Sequence, residues 1–137
     1  MACVVLLRTA MPGVYRFEDL RVWQAAREQC RCVGALIKRP AFARNRLLSD
    51  QMDDASISVM FNISEGFLRR TDPDTLKFLR YSIASNAELK SGYYAAEDRA
   101  CLAHIEVQEL IALNESIARM LNRWMATLKP RRKRTGT

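Results

Sequence analysis

Apolar residues recur at helical spacing from residue 17 almost to the C-terminus. Trp23, Ala26, Cys30, Val33 and Ile37 follow one another at intervals of 3, 4, 3 and 4, which keeps them on one helix face. Asp19 is the expected N-cap of this first helix, with Phe17 packing just ahead of it, and Pro40 is its expected stop. A second helix is predicted from about Asn45 to Glu65. Its stripe is Leu48, Met52, Ala55, Val59 and Asn62, and Gly66 offers an easy break. Thr71-Asp72-Pro73-Asp74 is a strong helix start: either Asp72 caps with Pro73 at the first helical position, or Thr71 and Asp74 act as a capping box. The third helix carries Phe78, Ser82, Ser85, Leu89 and Tyr93 along one side, with Leu79, Ile83 and Asn86 adjacent, and runs to about Arg99. The fourth spans about Ile105 to Leu128 through Leu110, Leu113, Ile117, Met120 and Trp124, and Pro130 ends it.

Four amphipathic helices of roughly 20–27 residues, each about 30–40 Å long, are joined by short connections. They predict an all-α fold, an antiparallel up-down-up-down four-helix bundle over residues 17–128. Residues 1–16 form an N-terminal extension outside this pattern. Within it Val4 to Leu7 read as a short strand or loose chain, and Met11 is an alternative start to Met1. Residues 129–137 form a basic tail.

Composition agrees with that picture. A chain of 137 residues favours one domain with a core large enough to fold without disulfides or metal. Five glycines and four prolines are too few for the turns of a sandwich or barrel. No apolar run approaches the roughly 20 residues of a membrane span, and Ala2 to Leu7 is too short for a signal peptide. The four cysteines, Cys3, Cys30, Cys32 and Cys101, read as reduced thiols of a cytoplasmic protein.

The chemistry of most enzymes is missing. Cys30 and Cys32, two apart on a helix, point to different sides, and His104 is the sole histidine, so neither a zinc site nor a catalytic triad is predicted. The Glu-x-x-His pairs of a di-metal bundle and the glycine-rich loops of nucleotide sites are also absent, and no cofactor is expected. An enzyme would have to use Glu65 or Glu88 as a buried acid or base. Glu65 has no His, Cys or Lys partner at helical spacing, so a non-enzymatic protein is predicted.

The most informative stretch is Ser58-Val59-Met60-Phe61-Asn62-Ile63-Ser64-Glu65-Gly66. Asn62 lies on an apolar stripe, with Ser58 four residues before it and Glu65 three after. Ser82, Ser85, Asn86 and Glu88 repeat this polar pattern on the third helix. A network of Ser58, Asn62, Glu65, Ser85 and Glu88 between the two helices is therefore expected, fixing register and packing.

The same residues carry a resemblance. In order come Phe17-Glu18-Asp19-Leu20, Val22-Trp23-Gln24, Gln51, Ser58, Asn62-Ile63, Glu65-Gly66, Arg69-Arg70, Phe78-Leu79, Ser85 and Glu88-Leu89. Over residues 17–128 this set resembles the four-helix-bundle family encoded in intervening sequences of 23S ribosomal RNA genes. The chain departs from the family at Met60, where Pro is frequent, and at Ser82 and Ala84, where small residues stand. The resemblance implies a homo-oligomer, with pentameric rings, whose biochemical role is largely unassigned. A related branch, the accessory variability determinant of diversity-generating retroelements, is a basic pentamer that binds nucleic acid and a reverse transcriptase. Asn62 and Glu65-Gly66 resemble the intervening-sequence branch more, so a nucleic-acid role is carried over by analogy alone.

Charge placement adds to that analogy. Of the net charge of +7, the tail residues Lys129, Arg131, Arg132, Lys133 and Arg134 supply five. The expected topology brings them to one pole with Arg16, Arg21, Arg69 and Arg70, against Glu18, Asp19, Asp72 and Asp74. Arg119 and Arg123 add an i, i+4 pair on the last helix. The opposite pole sets Lys38, Arg39, Arg44, Arg46 and Arg99 against Glu97, Asp98 and Glu106. The first reading is an oligomeric RNA- or DNA-binding or ribonucleoprotein accessory bundle. The second is a protein-interaction scaffold whose tail only aids solubility. Trp23 and Trp124 lie on apolar stripes, as core or subunit contact, and one of Tyr93 and Tyr94 must face outward.

Overall fold

The computed structural model describes residues 13–130, and among them it contains helix and turn but no strand. A 3-10 turn, Phe17–Asp19, precedes α1 (Arg21–Leu36), the short α2 (Pro40–Ala43), α3 (Arg46–Phe67), α4 (Asp72–Asp98) and α5 (His104–Ala126). The four long helices close a ring of contacts: α1 packs on α3 and α5, and α4 packs on the same two. The all-helical bundle expected from the periodicity is the fold observed.

Two apolar clusters fill the bundle. One gathers Trp23 and Ala26 of α1, Val59, Ile63 and Phe67 of α3, Leu79 of α4, and Ile117, Leu121 and Trp124 of α5. The other gathers Val33 and Leu36 of α1, Phe42 of α2, Met52 and Ala55 of α3, Leu89, Tyr93 and Ala96 of α4, and Val107 of α5. Each long helix thus runs from one cluster to the other. The first cluster, here the tail pole, lies at the beginnings of α1 and α4 and the ends of α3 and α5. Each fully buried Ile, Leu or Val contributes about 1.5–3 kcal/mol.

Between the clusters, three buried amides join α1, α4 and α5. Gln29 Nε2 donates to Asn86 Oδ1 (3.0 Å), and Asn114 Nδ2 donates to Gln29 Oε1 (3.0 Å) and Asn86 Oδ1 (3.0 Å). Asn86 Nδ2 donates to the Asn114 carbonyl (2.9 Å), and Asn114 Nδ2 to the Asn86 carbonyl (2.9 Å). Every amide is a donor and an acceptor, so the ring is satisfied without a charge. All three occupy core positions at 3-4 spacing: Val22, Ala26, Gln29, Val33; Leu79, Ser82, Asn86, Leu89; and Val107, Leu110, Asn114, Ile117. The predicted stripes of the first, third and fourth helices ran beside these positions.

The helix ends differ in part from expectation. Asp19 is not a cap: it closes the 3-10 turn, and Leu20 takes the N-cap position of α1 without a side-chain bond. Packing sets this start, with Leu20 buried and the Phe17 ring edge-on to Trp23 at 5.2 Å. Nor does Pro40 stop α1, which ends at Leu36; Pro40 opens α2, where its missing N–H is harmless. That extra turn buries Phe42 completely. Gly66 lies inside α3, which continues to the buried Phe67. Thr71, not Asp72, caps α4 by accepting the Asp74 N–H (3.3 Å). The α4–α5 turn is tight, with Ala100 at a left-handed φ of 58° and the Cys101 N–H returning to the Ala96 carbonyl (2.8 Å). Trp23 and Trp124 are core residues; Tyr93 is buried and Tyr94 exposed.

The Tyr93 hydroxyl has no hydrogen-bond partner among the described residues. Burial pushes its pKa well above the ordinary phenol value, and the neighbouring Cys32 and Cys30 thiols act in the same direction. Two variants of similar bulk should therefore behave oppositely in urea denaturation. Asn86→Leu, which strands two amides, should lose about 3 kcal/mol or more, whereas Tyr93→Phe should be neutral or gain up to about 1 kcal/mol.

Candidate nucleic-acid interface

The tail pole is assembled by three local features. The first is a backbone bond: the Lys129 N–H donates to Asp72 Oδ2 (3.1 Å). It fixes the chain leaving α5 beside the start of α4, and so beside the α3–α4 loop that carries Arg69 and Arg70. The second is a close approach. A Cβ on Gly66 would stand 3.3 Å from Phe78 Cβ and 3.4 Å from the Thr75 carbonyl, and Thr75 Oγ1 donates to the Gly66 carbonyl (2.9 Å). The missing side chain lets α3 and α4 meet before they turn. The third is a cavity of about 400 Å³ between α1 and α5, bordered by Arg21, Val22, Met120, Arg123 and Trp124.

The predicted basic residues at this pole are not equivalent. Arg16 is ion-paired with Glu18, and its guanidinium hydrogen bonds hold that carboxyl below the usual carboxylate range. Arg69 is bound by Glu65 (2.7 Å), its guanidinium carbon lies 4.4 Å from the Phe78 ring centroid, and its Nε–H is buried without an acceptor. Arg21, Arg70 and Lys129 are exposed and form no ion pair among the described residues. Arg123, which the sequence offered only as half of an i, i+4 pair, joins Arg21 at the cavity rim. Arg131, Arg132, Lys133 and Arg134 lie outside the described residues, as do the N-terminal extension to residue 12 and Cys3.

The far pole is neutralised in part. Arg39 donates to both oxygens of Glu106 (3.1 and 2.9 Å), which holds that carboxyl low; His104 Nδ1 lies 2.5 Å from Glu97, and Arg99 reaches Asn45 (3.4 Å). Lys38, Arg44 and Arg46 are exposed there and form no ion pair among the described residues, so both poles carry uncommitted cations. The tail pole differs in being followed in sequence by Arg131, Arg132, Lys133 and Arg134.

Only part of the expected polar network forms. The Ser58 and Ser85 hydroxyls meet at 2.7 Å, and Asn62 Nδ2 donates to the Ser58 carbonyl (2.8 Å) and hydroxyl (3.0 Å), all half-buried. Glu65 and Glu88 do not join it. Both are exposed, and Glu65 turns to Arg69. Each lies three residues past a network member, a rotation of about 300° that carries a carboxylate out of the seam to solvent. The deeper network, Gln29–Asn86–Asn114, was signalled only by amides at core spacing. Among the described residues no three His, Cys, Asp or Glu side chains gather as a metal site.

The profile of the 23S rRNA-intervening sequence protein family matches residues 18–123, the bundle from its 3-10 turn into α5. The chain belongs to this family. No curated protein matches the chain. The matched span of this intervening-sequence protein stops before Lys129, so the tail charges lie beyond it. The family's role is unassigned, and function must be argued from surfaces. No helix among the described residues is long and apolar enough to cross a membrane.

The α3–α4 approach generates a contrast between two glycines. Gly66→Val should force the helices apart at the loop and lose about 1–3 kcal/mol. Gly34, whose added Cβ meets nothing within 4 Å, should tolerate Ala and gain about 0.5–1 kcal/mol. Thermal or urea unfolding of both variants checks the pair.

Proposed function

We propose that this protein is a non-enzymatic, homo-oligomeric bundle that binds nucleic acid through its tail pole, as an accessory protein of a ribonucleoprotein. The observation that carries this reading is the Lys129–Asp72 bond. It fixes Lys129, two residues before the run Arg131 to Arg134 in sequence, beside the start of α4, on the pole where Arg21 and Arg123 share a cavity rim. Of the pole's acids, Glu18 pairs with Arg16, Glu65 with Arg69, and Asp72 accepts the Lys129 N–H. That leaves Asp19, on the cavity rim, and Asp74 exposed against Arg21, Arg70, Arg123 and Lys129. Cations without partners are what a phosphate backbone recruits, with release of its counterions.

Oligomerisation, in a pentamer by family resemblance, would repeat this pole around a ring and multiply the field. On this reading the protein works in the cytoplasm, with Cys30, Cys32 and Cys101 as free thiols. A scaffold that binds only protein is the second reading. It is favoured by Leu47 and Phe61 of α3 and Leu68 just past its end, which follow one another at multiples of seven and are all exposed.

Binding of the full chain to a structured RNA and to duplex DNA across a salt series tests the proposal. Salt-sensitive binding is expected. Converting Arg131, Arg132, Lys133 and Arg134 to alanine should lower the affinity and flatten the log–log slope by up to about 3–4. An unchanged slope would remove the tail from the interface. Absence of binding at low salt would leave the scaffold reading, and a monomer in light scattering would overturn the oligomer.

A further inference from the structure

The loop side of the α3–α4 pair holds an aromatic group that the core does not use. Tyr81, on the third turn of α4, is 50 % exposed although its ring is held edge-to-face against Phe78, with centroids 6.1 Å apart and planes at 87°. Phe78 is in turn held by the Arg69 guanidinium 4.4 Å from its centroid, and Arg69 by Glu65 (2.7 Å). This relay, Glu65–Arg69–Phe78–Tyr81, fixes the tyrosine ring without covering it. Phe61, 60 % exposed, lies on α3 between Val59, whose carbonyl accepts the Ser82 hydroxyl, and Gly66, which abuts Phe78. Its position along α3 is therefore level with Tyr81.

The charge around these rings is cationic where it is free. Arg70, Lys77 and Arg80 are exposed and form no ion pair among the described residues. Asp72 accepts the Lys129 N–H, and Asp74 sits in the first turn of α4, where the positive end of the helix dipole offsets it. Exposed aromatic rings among unpaired cations suit a strand whose bases are unstacked and whose phosphates run alongside. A duplex, with its bases stacked on each other, offers such rings nothing. A second apolar protein surface would have to desolvate Arg70, Lys77 and Arg80 without partners.

We propose that Tyr81, steadied by Phe78 and Arg69 and with the exposed Phe61 at the same height on α3, is a base-stacking platform for unpaired nucleic acid. Single-stranded segments are thus the preferred ligand of the tail pole. The proposal rests on the nucleic-acid reading above and specifies its ligand. Phosphate contacts at the pole supply the salt-dependent part of the affinity, and stacking supplies a salt-independent part confined to single strands.

The test compares an oligouridylate, an oligothymidylate and a duplex of equal length, bound by the full chain and by Tyr81→Ala and Tyr81→Phe. The wild type should prefer the single strands. Tyr81→Ala should weaken single-strand binding roughly 5- to 100-fold with the salt slope and duplex affinity unchanged, and Tyr81→Phe should retain the binding. A matched loss on oligouridylate and oligothymidylate identifies base stacking as the common chemistry; a loss on oligouridylate alone narrows the ligand to RNA. Duplex binding with a steep salt slope but no effect of Tyr81→Ala would overturn the platform and leave the polyanion reading standing. No binding to any of the three would overturn both. If Tyr81→Ala shifts the oligomer mass in light scattering while single-strand binding is unchanged, the ring belongs to a contact between copies and the proposal falls.

Discussion

Three amides at mid-height set the terms for the rest of this bundle. Gln29, Asn86 and Asn114 hydrogen-bond one another across α1, α4 and α5, between the two apolar clusters. An apolar seam tolerates sliding by a turn, because one Leu substitutes for the next. A closed amide ring does not, since displacing one helix leaves donors unpaired in a dry interior. The ring thus ties relative height to hydrogen-bond satisfaction. α3 stands outside it and is registered otherwise, by the Ser82 hydroxyl on the Val59 carbonyl, by Ser58 on Ser85, and by Thr75 on the Gly66 carbonyl.

That division of labour accounts for what the surface presents. The α3–α4 pair is locked closely by small residues and hydroxyls, so its outer side is rigid and can display Phe61, Tyr81 and Arg70 without needing them for packing. The α1–α5 seam is looser and holds a cavity at each end, one of about 400 Å³ at the tail pole and one of about 390 Å³ beside Arg39 and Glu106. Charge is matched only in part at either pole: the far pole pairs Arg39 with Glu106 and His104 with Glu97 and leaves Lys38, Arg44 and Arg46 without an ion pair among the described residues, as Arg21, Arg70 and Lys129 are at the tail pole.

Much of this was legible in the sequence. The long helices followed from 3-4 spacing, because burying one face of a helix writes that period directly into the chain. The 3-10 turn and α2 were not visible, since three or four residues hold no period, and Phe42 is buried by a turn that Pro40 starts. The amide ring was missed although Gln29, Asn86 and Asn114 stand at core spacing: Asn86 reads only with the polar groups turned toward the second helix, and Gln29 and Asn114 fall just beside the stripes drawn through Cys30 and Leu113. The opposite error drew Glu65 and Glu88 inward: their spacing from Asn62 and Ser85 brings them near the right side, but the last 60° of rotation decides between seam and solvent. That Arg16, Arg21, Arg69, Arg70 and Lys129 share one pole could be read from chain order. Which of them were already committed could not, because the Glu65–Arg69–Phe78 arrangement depends on side-chain geometry that no spacing encodes.

The bond between the Lys129 N–H and Asp72 has a topological side as well. Val14, just before the first helical turn, and Thr127, just after the last helix, border the same cavity. The bundle is therefore close to a closed loop, with its entrance and exit side by side and its tight Arg99–Cys101 bend at the far end. Chain entry at Val14 and chain exit at Thr127 thus share one end of the bundle. The far end is left as a blunt cap of turns, which can be cut open for circular permutation without disturbing the pole where the chain enters and leaves.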